Sequence, residues 1–117
     1  MLNDIKHILA VVNHTDDGEI VLQKAEQIAK ASGAGIRAIK VIYEALHPST
    51  TDDFERNEVL KKRLITTEET MLELLLSPIL ESTSLEVDSA VLWRKHEFQG
   101  IIDAATELAA DLIEKST

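Results

Sequence analysis

One short stretch limits what this chain can become more than any other. Residues 5–17 read Ile-Lys-His-Ile-Leu-Ala-Val-Val-Asn-His-Thr-Asp-Asp, and Ile8 to Val12 carry no polar side chain. A continuous apolar run that stops at polar turn formers is the pattern of a strand buried on both faces, the centre of a parallel sheet. The turn beginning at Asn13 should open onto a helix. In open α/β sheets ligands sit beyond the carboxyl ends of the strands, so the tip of this strand is the first place to look for a site.

The rest of the chain supplies matching elements. Residues 18–32 read as a helix, with Asp16 and Asp17 placed to cap it. Val21, Ala25, Ile28 and Ser32 share one face, flanked by Leu22 and Ala29. Gly33 is positioned to end that helix in a left-handed conformation, and Gly35 to turn the chain into a second strand over 36–43. Strand, helix and strand within about forty residues make a right-handed βαβ unit. After a loop containing Pro48, in which Thr50 and Asp53 form a weak capping box, a long helix is expected from about 52 to 80. Its apolar stripe reads Leu60, Leu64, Met71, Leu75 and Ile79, and Pro78 should distort or end it. A third strand over 85–93 alternates apolar and polar residues, which places it at a sheet edge. A third helix from about 97 to 109 presents Phe98, Ile101, Ile102, Ala105, Leu108 and Ala109 to the core, and a fourth strand begins at Asp111. The order is βαβαβαβ, in one domain of 117 residues.

Composition removes several function classes. The chain carries a formal charge of −9, and ten of its 21 acidic residues fall within 51–90 against four of its 12 basic ones. Such a surface argues against a nucleic-acid partner, which requires a clustered basic face. There is no cysteine, hence no disulfide framework or thiolate metal site, which fits a reducing compartment. No apolar run approaches the length of a membrane span, and the first residues lack a signal pattern. The expected location is cytoplasmic.

Gly18, Gly33, Gly35 and Gly100 make neither a P-loop nor a dinucleotide fingerprint. The pair Asp16-Asp17 resembles the cation-holding acids of a receiver domain, but where the acceptor aspartate should follow the third strand the chain reads Trp93-Arg94-Lys95. His7, His14, His47 and His96 never fall at i, i+4 spacing, so no metal site is expected. No nucleophile elbow is present. Arg94, Lys95 and His96 stand before a helix N-terminus and offer an anion contact, though a solvated loop accounts for them more simply.

Three stretches carry a family resemblance. These are the first strand at 5–13, the first helix ending Ala-Lys-Ala-Ser-Gly-Ala, and the run from Phe98 through Ala-Ala-Asp-Leu-Ile. In order and spacing they resemble the universal stress protein family. Val91-Leu92-Trp93 followed by Phe98-Gln-Gly-Ile-Ile further resembles the first half of tandem-domain, E-type members. The resemblance implies an adenine-nucleotide-hydrolase-like α/β fold, a parallel sheet ordered 3-2-1-4 with helices on both faces, and a stress-response setting.

Two departures from the family pattern shape the functional expectation. Nucleotide-binding members end the first strand in Asp, where this chain has Asn13, and carry a glycine phosphate loop after the fourth strand, beyond Thr117 here. The fifth strand that commonly serves dimerisation is also missing, so the domain is expected to be C-terminally incomplete. Asn13 and the backbone at Val41 fall where members hold the adenine end, with His14, Trp93, Arg94 and Lys95 as further ligand contacts. The favoured expectation is a non-catalytic, universal-stress-type protein with no cofactor. It would act through protein contacts as a homo-oligomer or beside a second stress-protein domain. The alternative is a degenerate adenine-nucleotide or small-ligand module in a crevice among Asn13, Val41 and Trp93. An enzyme is a distant third, because no acid, base and nucleophile are assembled.

Overall fold

A computed structural model describes residues 5–13, 15–43, 54–82 and 84–115. The elements follow the expected order: β1 (His7–Val11), α1 (Thr15–Ser32), β2 (Gly35–Tyr43), α2 (Phe54–Ser82), β3 (Val87–Arg94), α3 (Glu97–Leu108) and β4 (Leu112–Lys115). The sheet is parallel throughout and ordered β3-β2-β1-β4. β1 is therefore central and β3 lies at an edge.

Alternation along β1 divides the core in two. Ile8, Ala10 and Val12 face one side, where Val21, Leu22, Ala25 and Ala29 of α1 and Leu72, Leu76 and Ile79 of α2 cover them. Leu9 and Val11 face the other side with Ile39, Val41 and Ala104 of α3. Successive strand residues point to opposite faces, so both faces of β1 must be apolar, as the run from Ile8 to Val12, one residue past its end, provides. Each Leu or Ile sealed there stabilises the fold by about 1.5–3 kcal/mol. α1 ends as anticipated at Gly33, whose φ of 76° is left-handed.

The helices are phased differently from the sequence reading at three places. The α2 core stripe is Leu72, Leu76 and Ile79, with Leu75 partly buried, whereas Leu60 and Met71 are exposed. Met71 is turned out by the way α2 crosses the sheet, and Leu60 is exposed because of length. Twenty-nine helical residues span about 44 Å, whereas the longest strand has nine residues and spans about 30 Å. Part of α2 thus overhangs the sheet. Pro78 does not end this helix, which continues to Ser82. Pro78 and Leu74, whose carbonyl loses its donor, are both exposed, while Ile79 anchors the last turn in the core. On α3, Phe98 and Ile102 are exposed rather than core-facing, and Ala109 is exposed as the left-handed C-cap with φ of 55°. At about 100° per residue, Ile102 lies about 160° around the helix from buried Ala104. Asp16 and Asp17 fall within the first turn of α1 instead of before it. The Thr50–Asp53 capping box and His47 lie outside the described residues.

Two close fits hold the second layer. A Cβ on Gly100 would stand 2.7 Å from Val41 Cγ2 and 2.8 Å from Cγ1, so only glycine lets α3 settle on β2 at this point. Asp111, just before β4, accepts hydrogen bonds on Oδ2 from the Lys6 and His7 amides at 2.9 and 3.1 Å, and its own N–H donates to the His7 carbonyl at 2.8 Å. It pins the start of β4 to the start of β1.

Both fits are testable by urea unfolding. Gly100→Ala should destabilise the fold by about 1–3 kcal/mol despite the better helix propensity of alanine. The cost should shrink in a Val41→Ala background, and an equal penalty in both backgrounds would refute the contact. The two backbone donors hold the Asp111 carboxyl below its ordinary value of 3.8. A depressed folded-state pKa adds stability above the unfolded value and loses it as pH falls through the folded one. Asp111→Asn should therefore be less stable than wild type near neutrality. The gap should close as pH drops below about 4, and a pH-independent gap would sink this assignment.

Candidate functional site

The site to inspect lies where β1 and β2 end. The Val12 N–H donates to the Ile39 carbonyl at 2.8 Å, and the chain then passes to Asn13. There a side chain takes over from the backbone ladder: the Val41 N–H donates to Asn13 Oδ1 at 3.1 Å. The Asn13 carbonyl accepts a hydrogen bond from Lys40 Nζ, and Lys40 lies 3.9 Å from Glu68 of α2. The space between Lys40, Glu68 and Val12 is about 10 Å³, room for no more than one water.

This arrangement fixes the Asn13 amide. A flipped side chain would set Nδ2 against the Val41 N–H, donor to donor, so the oxygen must face the strand. Nδ2 is consequently buried, and it has no partner among the described residues. An unsatisfied buried donor costs about 1–3 kcal/mol. An aspartate here would carry no such donor.

Of the residues singled out in the sequence, Asn13 and Val41 meet directly. Val41 contributes only its backbone, since its side chain is buried beneath Gly100. Trp93 and Arg94 are neighbours on β3 and so point to opposite faces. Lys61 of α2 lies over the Trp93 ring, 5.0 Å from its centroid. Arg94 turns to the α3 side, donating from Nε to Asp103 Oδ2 at 2.9 Å and from a terminal nitrogen to the Trp93 carbonyl at 2.9 Å. Lys95 is exposed in the turn before α3. His14 lies outside the described residues. The expected grouping of Asn13, Val41 and Trp93 is thus divided, with Trp93 on the α2 face and Val41 directed toward α3.

Sequence reasoning missed Lys40, Glu68 and Gly100. Lys40 had a visible signal, being the cation nearer the carboxyl end of a strand whose one other charged residue is Arg37. Glu68 had none, because its partner comes from a different element. No group of three or more His, Cys, Asp or Glu suited to a metal ion occurs among the described residues. No helix of the described chain is long and apolar enough to cross a membrane. A cavity of about 390 Å³ lies at the opposite end of the sheet, beside His7, Gly35, Arg37, Glu86 and Asp88.

Known structures share this architecture. The hypothetical protein MJ0577, whose structure served to assign its biochemical function, is 20% identical with a TM-score of 0.78, over 94% of this chain and 73% of that one. A universal stress protein family member from Burkholderia pseudomallei is 16% identical with a TM-score of 0.75, over 97% and 82%. A universal stress protein solved in complex with cAMP is 14% identical with a TM-score of 0.62, over 93% and 70%. No curated protein matches the chain by sequence. At these identities the structures speak for the fold alone, but a sequence model of the family matches residues 4–114. With that match spanning nearly its whole length, the chain belongs to the universal stress protein family.

Proposed function

We propose that the chain is a non-catalytic stress-response protein of the cytoplasm that acts by contacting other proteins, a second copy of itself or another stress-protein domain. One observation carries this reading. Phe98, Ile102 and Ile113 are 59%, 58% and 46% exposed. Phe98 and Ile102 stand one turn apart on the flank of α3 away from Asp103, which pairs toward β3. Ile113 is in register with Leu9 and so shares the α3 face. Glu97 and Lys115, 3.5 Å apart, tie the start of α3 to the end of β4 on this side. Together the three side chains offer on the order of 300 Å² of apolar surface, the scale of the largest patch on a typical monomer, which is often functional. β4 also has β1 as its neighbour on one side only among the described residues.

A second reading, a degenerate nucleotide module, has its own support. The Asn13 Nδ2 donor is buried without a partner among the described residues at the carboxyl end of β1, and one fold relative was solved with cAMP. The amide could donate to a ring nitrogen of a base. Against this, the Val41 N–H beside it is already engaged by Asn13 Oδ1.

Two measurements separate these readings. Calorimetric titration with ATP, AMP and cAMP should give no heat at micromolar ligand. Micromolar binding that disappears in Asn13→Ala would establish the nucleotide module instead. Sedimentation velocity should show a species larger than the monomer at tens of micromolar chain. The double variant Phe98→Asp, Ile102→Asp should return it to monomer, and a wild-type chain monomeric at every concentration would overturn self-association.

A further inference from the structure

α3 packs on β1, β2 and β3, and its two flanks differ in chemistry. On the flank opposite Phe98, a cavity of about 320 Å³ lies between α3 and β3. Its floor is apolar and small. Ala90 and Leu92 of β3 are partly buried there against Ile39 and Ala104. Its rim is charged at both ends. At one, Arg37 Nε and its terminal nitrogen donate to the two carboxylate oxygens of Asp88 at 2.9 and 3.2 Å, with Glu107 at 3.9 Å. At the other, Arg94 donates to Asp103.

The exposures within these pairs are unequal, and that sets the sign of the rim. The arginine side chains are 27% and 36% exposed, whereas Asp88, Asp103 and Glu107 are 60%, 56% and 79% exposed. Each cation spends its donors inward, and each carboxylate keeps outward lone pairs. An incoming chain meets three exposed carboxylates around an apolar trough. The chain's overall charge of −9 adds long-range attraction for a basic partner.

We propose that this trough between β3 and α3 docks a basic, extended segment of a partner protein, with apolar side chains on the floor and Lys or Arg at either end. Asp88, Ala90, Leu92 and Arg94 alternate toward α3, and at about 3.3 Å per residue the first and last are about 20 Å apart. An extended partner reads such a surface with every second side chain, so the matching pattern is basic-x-apolar-x-apolar-x-basic. The proposal extends the protein-contact reading to the other flank of α3, and rests on it only in taking the partner to be a polypeptide.

The test uses the full chain and a fluorescein-labelled peptide, Lys-Thr-Leu-Thr-Leu-Thr-Arg, followed by fluorescence anisotropy at low salt. Binding should saturate, and a peptide with Glu at both ends should not bind. Glu107→Lys, on an exposed rim position, should weaken binding about fivefold. Ala90→Leu, which fills the trough, should weaken it at least about tenfold, with its melting curve confirming an intact fold. Equal binding by Ala90→Leu and wild type would mean mere adsorption to an acidic surface and would overturn the proposal. So would the absence of saturable binding. Sedimentation of the same samples keeps the failures apart: a chain that self-associates yet ignores the peptide loses the trough but retains the protein-contact reading.

Discussion

Everything in this fold depends on β1 being apolar on both faces. A strand solvated on one side needs helices on the other side only. β1 requires a layer on each side, and its alternation apportions the layers: Ile8, Ala10 and Val12 go to α1 and α2, Leu9 and Val11 to α3. Register follows from the same fact. A slip of one residue would exchange the two sets, moving the small Ala10 from beside Ala38, its partner in register, to the opposite layer. That pair of alanines, facing Ala25 and Ala29, gives α1 a shallow bed to lie in. Gly18 continues the close fit, since a Cβ there would lie 2.7 Å from Val12 Cγ1.

The site at the tip of β1 shows what one atom changes. Asn13 Oδ1 completes the β1–β2 ladder by accepting the Val41 N–H, as a carboxylate oxygen could, but the second atom of the amide is a donor instead of another acceptor. Lys40 reaches the Asn13 carbonyl and Glu68 partners Lys40, so the turn is held from the strand side and from the helix side. The resulting neutral tip is a structural joint with one donor unspent among the described residues.

Much of the architecture was legible in the sequence, because unbroken apolar runs and glycine stops are local signals. The central strand and the left-handed end of α1 at Gly33 follow from such signals, whereas the sheet order came with the family resemblance. The faces of the longer helices were less legible. Met71 and Leu72 are adjacent and both apolar, and only the crossing of α2 over the sheet decides that Leu72 is the buried one. Of the two outcomes expected at Pro78, distortion or an end, the helix takes no end there, because the residue whose carbonyl is freed, Leu74, is exposed. At the site, the family resemblance set Asn13 and the backbone at Val41 beside one another as ligand contacts, and neither resemblance nor spacing announced the hydrogen bond between them. Ending the third strand at Trp93 left Arg94 in a loop. Once β3 is seen to include both residues, alternation alone sends them to opposite faces.

The Asp111 pin also bears on the order in which the chain comes together. β2 joins β1 across a gap of 28 residues, as in the pairing of His7 with Gly35. β4 must instead find β1 across the length of the chain, and the Asp111 bonds to Lys6 and His7 close separations of 105 and 104 residues. Loop closure on that scale yields little until the β1–β2 unit and its helices already stand. With only four residues of its own, β4 is then the last strand to seat and the first to lift. Amide hydrogens at the β1–β4 seam are accordingly the ones expected to exchange ahead of those between β1 and β2.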